Sequence, residues 1–90
     1  MKKIIRSNQF KRDYKKLVKQ GKNIGLLKTT IKLLVNNKDL SKKMLDHKLN
    51  GNWKGNRECH IQPDWLLIYK TTPTKLELVR TGSHSDLFSM

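Results

Sequence analysis

Five consecutive apolar residues, Trp65 to Tyr69 in the run PDWLLIYK, constrain this chain more than any other stretch. Pro63 and Asp64 supply a turn before them, and Thr71 to Thr74 with Pro73 supply another after them, so the run reads as a strand. A strand that is apolar on both faces needs a neighbour on each side and cover above and below. The rest of the chain must provide that cover. Ninety residues hold too little chain for two independent cores, and a hydrophobic fraction of 36% suffices for one thin core. The expectation is a single domain over 1–90, with one sheet covered on one face by helices.

The neighbours can be found on either side of the run. Asn56 to Ile61 alternates polar and apolar residues, and so does Leu76 to Thr81 before Gly82, which together with the central run predicts a three-strand antiparallel meander. Lys2 to Arg6 fits a short strand that ends at Ser7 and Asn8, either of which can cap a helix. Phe10, Tyr14, Leu17 and Val18 then recur at helical spacing up to Gly21, with Lys11, Arg12, Lys15, Lys16 and Lys19 between them. Asn23 can cap a second helix carrying Ile24, Leu27, Ile31, Leu34 and Val35, closed by Asn36, Asn37 and Asp39. The two helices form an antiparallel pair with one apolar face, and neither carries chemistry. Leu40 to Asn52 reads as a polar connection and Ser83 to Met90 as a short tail. The expected fold is α+β, in the order β-α-α-β-β-β, with an antiparallel sheet packed on one face by two helices.

Charge bounds the partners. Twenty Lys and Arg against seven Asp and Glu give +13. Such an excess repels itself, so it points to a polyanionic partner, nucleic acid first. No stretch is long and apolar enough to span a bilayer, and the start MKKIIRSNQF lacks the pattern of a secretory signal, so the cytoplasm is the expected compartment and a membrane is not an expected partner. The single Cys59 cannot form an internal disulfide, which agrees with a reducing compartment. It alternates with Arg57 and Ile61 on its strand and reads as a buried structural thiol.

All three histidines, His47, His60 and His84, lie in the second half, interleaved with Asp64, Arg80, Trp65 and Phe88. These are the parts needed to cleave RNA without a metal: a base takes the ribose 2′-OH proton, a cation steadies the phosphorane, and an acid protonates the departing 5′ oxygen. Each also has a plainer reading. His47 fits a solvent-exposed loop, His60 a half-buried strand imidazole, Asp64 the completion of a turn and Trp65 the core rather than a stacking platform. His84 and Phe88 lie four apart, on one side of a helical turn, where Phe88 can also anchor the tail. Strict alternation puts Arg80 in phase with Leu76 and Leu78, so it reaches chemistry only if its strand twists or its side chain leaves the rim of the core face. The histidine spacings match no zinc signature, and there is no glycine-rich phosphate loop. No metal or cofactor is expected.

The runs DHKLNGNWKGNRECHIQPDWLLIY and RTGSHSDLF resemble the RelE/YafQ-type toxins of bacterial type II toxin–antitoxin systems, which are mRNA interferases, and are most similar to the YafQ branch. The resemblance extends over nearly the whole chain. It implies a RelE/ParE-like fold and a toxin that is a ribosome-dependent endoribonuclease, cutting mRNA in the ribosomal A site to leave a 2′,3′-cyclic phosphate and a 5′-hydroxyl. By the same resemblance His60 and His84 are the candidates for acid and base, undivided between the two roles, with His47 and Asp64 sharing or orienting the protons. Arg80 would bind the scissile phosphate, Trp65 and Phe88 would shape the pocket, and Arg57 and Glu58 would be accessory. The implied partners are mRNA, the ribosome and a cognate antitoxin whose acidic segment covers the basic cleft. Gyrase-poisoning relatives share the scaffold without this histidine set, so the fold leaves other readings open. One is a non-catalytic basic module that inhibits by occupying RNA or protein, and another is a ribonuclease acting without the ribosome.

Overall fold

In chain order the elements are β1 (Lys3–Arg6), α1 (Asn8–Lys19), α2 (Ile24–Val35), β2 (His47–Lys48), β3 (Arg57–Gln62), β4 (Trp65–Thr71), β5 (Lys75–Gly82) and α3 (His84–Phe88), with single 3₁₀ turns at Lys42–Met44 and Gly51–Trp53. They are described by a computed structural model over residues 1–88; Ser89 and Met90, the end of the expected single domain, lie outside the described residues. The strands form one five-stranded sheet in the order β1-β5-β4-β3-β2. β4 is central, and its residues Trp65 to Tyr69 are all buried.

Alternation sorts that apolar run between two cores. Trp65, Leu67 and Tyr69 join Cys59, Leu76 and Leu78 beneath Phe10 and Leu17 of α1 and Leu27 and Val35 of α2. Leu66 and Ile68 face the other way, into a smaller cluster closed by Leu87 with Leu49, Trp53, Val79 and Phe88. Both helices start on side-chain caps: Ser7 Oγ accepts from the Phe10 N–H at 2.9 Å and Asn23 Oδ1 from the Gly25 N–H at 3.1 Å. Each such cap contributes about 1 kcal/mol. Ser7 Oγ also donates to the Val79 carbonyl at 2.7 Å, which ties the start of α1 to β5.

Three features depart from the expected topology. The meander β3-β4-β5 is antiparallel, but β1 lies parallel to β5, so the sheet is mixed rather than antiparallel. A strand's composition does not encode its direction; the chain between β1 and its parallel neighbour β5 runs through the helix pair and then β2, β3 and β4. The expected polar connection contains a strand, β2, which pairs His47 with Glu58 and Lys48 with Arg57. Within the expected tail His84–Phe88 fold as α3, separated by Ser83 alone from Gly82, whose φ of 155° favours a residue without a side chain.

Candidate active site

The sheet face away from α1 and α2 gathers most of the residues singled out in the sequence. Because β3, β4 and β5 pair in register, Glu58, Ile68 and Arg80 form one row across the sheet, and His60, Leu66 and Gly82 form the next. Arg80 belongs to that row because the register of β5 against β4 shifts at Val79: Tyr69 pairs with Leu78 but Ile68 with Arg80. One extra residue in a strand reverses the facing of the residues beyond it. The bulge is thus what takes Arg80 out of phase with Leu76 and Leu78. A second irregularity, at Ile61 between His60 and Gln62, leaves Gln62 paired with Trp65 beside the turn that carries Asp64.

His47, Glu58 and His60 form one cluster. Glu58 is only 5% exposed, and its Oε2 lies 3.1 Å from His47 Nε2 and 3.8 Å from His60 Nε2. Its other oxygen, Oε1, is buried with no hydrogen-bond partner among the described residues. A carboxylate desolvated in this way is costly unless donors reach it; only His47 Nε2 comes within hydrogen-bonding distance, and the 3.8 Å to His60 Nε2 is too long for a hydrogen bond. On the far side of the ring, His47 Nδ1 lies 2.6 Å from the Leu45 carbonyl oxygen. A carbonyl only accepts, so Nδ1 carries a proton, and Nε2, which faces the carboxylate, donates to it only in the imidazolium form. Leu45 holds a left-handed conformation, φ 49° and ψ 43°, which is unusual for a branched side chain and aims its carbonyl at the ring.

His84 approaches from α3. Its ring centroid lies 5.7 Å from that of His60, and Asp64 Oδ1 accepts from its backbone N–H at 3.3 Å and lies 3.2 Å from its Nδ1. The hydrogen bonds from His84 hold the Asp64 carboxyl below its ordinary range, so it is ionised at neutral pH. With Nδ1 turned to Asp64, the Nε2 of His84 is the nitrogen left to meet a substrate. The side chains of His47 and His84 are 49% and 50% exposed and that of His60 16%, so two half-exposed rings flank a mostly buried one. Phe88 sets its ring 6.1 Å from His84, tilted by 38°, and meets Trp53 edge-on at 5.9 Å, walling one side. Trp53 carries no site signal in the sequence, although its place in the GNWKG turn before β3 brings it here.

Other expected site residues belong to the helix side or reach towards it. Arg57 pairs with Tyr69, so it belongs to the helix-side face, and its Nε donates to Asp46 Oδ1 at 3.3 Å. The period of two along β3 separates it from Glu58 and His60, and an accessory role beside them is corrected accordingly. Trp65 is 1% exposed in the helix-side core, where its Nε1 donates to Thr81 Oγ1 at 2.9 Å, so its ring offers no free stacking face and shapes the site only from beneath. The Arg80 guanidinium leans over the edge of β5 to Asp13 of α1, with Nε donating to Oδ2 at 3.1 Å and Nη2 to Oδ1 at 3.0 Å. That partnership raises the arginine's pKa further, so it is always charged. Burial pushes the Cys59 thiol up to about 12, which removes it as a nucleophile.

Asp46 is a further residue that sequence reasoning passes over. Its Oδ1 accepts from the Tyr69 hydroxyl at 2.6 Å as well as from Arg57, and it immediately precedes His47. The core therefore grips the strand that carries the first histidine. Among the described residues no three His, Cys, Asp or Glu side chains are grouped so as to hold a metal ion, and no helix is long and apolar enough to cross a membrane.

The arrangement has counterparts. The mRNA interferase toxin YafQ of Escherichia coli K12 is 45% identical over 83 residues, 91% of this chain and 90% of its own. The crystal structure of YafQ from E. coli BL21(DE3) superposes with a TM-score of 0.93 at 42% identity, covering 98% of this chain and 99% of that one. YafQ in the crystal structure of the E. coli DinJ-YafQ toxin–antitoxin complex superposes with a TM-score of 0.90 at 43% identity, over 97% of both chains. Residues 2–89 match the family model of the bacterial YafQ toxins, and the chain belongs to that family of type II toxin–antitoxin toxins.

Proposed function

We propose that this toxin is an mRNA interferase, an endoribonuclease that cleaves mRNA on the ribosome by attack of a ribose 2′-OH on the adjacent phosphate. The observation that carries the reading is the approach of His84 to His60, 5.7 Å between ring centroids, with Asp64 behind one ring and Glu58 behind the other. Two imidazoles at that separation can flank a scissile phosphate, one removing the 2′-OH proton while the other protonates the 5′ oxygen. Each is backed by a carboxylate that orients the ring and stabilises its protonated form as charge moves. His47, with Nδ1 donating to the Leu45 carbonyl, presents a fixed ring that shares Glu58 with His60. Arg80 supplies the charge that steadies the phosphorane, and Phe88 walls the pocket for an unstacked base.

The charge of +13 fits both of the partners this reading requires, the RNA of the ribosome with its mRNA and an antitoxin with an acidic segment. The DinJ complex of a relative that is 43% identical supports a cognate antitoxin for this chain.

The test is mapping of 5′ ends on a defined mRNA incubated with the purified protein and EDTA, with and without ribosomes, for wild type and His84→Ala. Cuts in codon frame that need ribosomes and vanish in the mutant are expected. Cuts on free RNA would make it a ribosome-independent nuclease. No cuts under any condition would replace the proposal with inhibition by occupancy.

A further inference from the structure

Asp13 is out of place by every local criterion. It sits in the middle of the strongly basic helix α1, between Lys11, Arg12, Lys15 and Lys16, yet it is 7% exposed while those neighbours lie at the surface. Burying a carboxylate is costly unless hydrogen bonds replace its hydration. Here four donors do so. Arg80 Nε and the Thr81 N–H reach Oδ2 at 3.1 and 3.2 Å, and Arg80 Nη2 and Gln9 Nε2 reach Oδ1 at 3.0 and 3.1 Å.

The topology explains why an acid stands there. β1 ends at Arg6, paired with Leu78, so the last residues of β5 have no strand on that edge. Ser7 continues the contact by accepting its cap and donating to Val79, and further along the helix Asp13 takes the N–H of Thr81. Thr81 in turn donates to the Leu66 carbonyl at 2.8 Å and accepts from Trp65, so the carboxylate is tied through Thr81 to the central strand β4. From that base it grips Arg80 through two parallel bonds, which fix the plane of the guanidinium and not only its charge. Nη1 and the second hydrogen of Nη2 are the donors left over.

We propose that Asp13 is the positioning residue for Arg80: it holds the guanidinium at one orientation so that its remaining donors meet the scissile phosphate. The inference rests on the reading that Arg80 binds that phosphate. It gives α1 a part in the reaction that no residue of its apolar stripe or lysine face supplies.

The test combines Asp13→Asn, Arg80→Ala and the double variant, with two readouts: the single-turnover rate of cleavage of ribosome-bound mRNA, and solvent exchange of the Arg80 Nε–H by NMR. Asp13→Asn keeps an acceptor for Thr81 but presents an amide to the guanidinium. It is expected to speed Nε–H exchange, to lower the rate by roughly 10- to 100-fold as misplaced groups do, and to have no further effect once Arg80 is absent. A rate equal to wild type, or the same loss in the Arg80→Ala background, would overturn the proposal while leaving Arg80 its role. An Arg80→Ala protein that cleaves at the wild-type rate would instead remove the reading on which it rests. Should Asp13→Asn fail to fold, Asp13→Glu, which retains the charge but displaces it by one methylene, is read against the same two outcomes.

Discussion

The two faces of the sheet share the strands β3, β4 and β5 but use them for different ends. Under α1 and α2 lie Cys59, Leu67, Tyr69, Leu76 and Leu78, all fully or nearly fully buried. On the opposite face lie Glu58, His60, Val79 and Arg80 around Leu66 and Ile68, covered among the described residues by Leu49, the five residues of α3 and the turn carrying Trp53. One face has a helix pair to exclude water; the other stays open enough to leave His84 half-exposed. A single substitution on each side should therefore separate stability from chemistry. Leu67→Ala is expected to cost about 2–5 kcal/mol of unfolding free energy through the cavity it leaves, read by urea denaturation. His60→Ala, one strand away on the other face, is expected to cut the cleavage rate by about 10²- to 10⁴-fold while changing stability by about 1 kcal/mol or less. If His60→Ala unfolds the protein as readily as Leu67→Ala does, the division between the faces is wrong.

Tyr69→Phe probes the place where the two faces communicate. Tyr69 packs in the helix-side core, yet its hydroxyl donates to Asp46, and Asp46 leads into the strand of His47. Burial and the Asp46 hydrogen bond raise the tyrosine's pKa, so the hydroxyl is a donor throughout the accessible pH range. Loss of a bond to a charged acceptor should cost about 1.5–3 kcal/mol. Cleavage should slow as well, because β2 is only two residues long and has few other ties to the sheet. A variant that loses stability but cleaves at the wild-type rate would show that His47 does not depend on this link.

The same contrast explains what can be read from the sequence. The helix stripes and the inner strand Trp65 to Tyr69 are legible because periodicity is a local property of the chain. The gathering of His60, Asp64, His84 and Phe88 is of another kind: periodicity gives each of them a plainer reading, and it is the family resemblance that sets them together. What escapes depends on residues far apart in the chain: the direction of β1, the bulge at Val79 that turns Arg80, and the carboxylate of Asp13, 67 residues before its guanidinium partner. Asp13 looks like one more charge on a solvated face because nothing within a turn of α1 reveals its burial. His47 reads as a loop residue for the same reason, since its strand exists only by pairing with β3.

The smallest expected effect concerns the second tie between the faces. Lys16 of α1 donates to Asp86 of α3 at 3.1 Å, and this bond, followed by those from Ser83, holds the Asp86 carboxyl below its ordinary value. A carboxyl with a depressed folded pKa contributes stability that is fully present above its unfolded pKa, about 3.9, and is lost as pH falls through the lower folded value. The pair is partly exposed, 57% and 36%, so screening limits it to about 0–1 kcal/mol. The difference in unfolding free energy between wild type and Asp86→Asn should accordingly be present at pH 6, fade at strongly acidic pH, and shrink in high salt. A difference that persists unchanged at acidic pH would mean that Asp86 holds α3 by its shape and its contacts at the start of the helix, and that charge plays no part in joining the helix pair to the site.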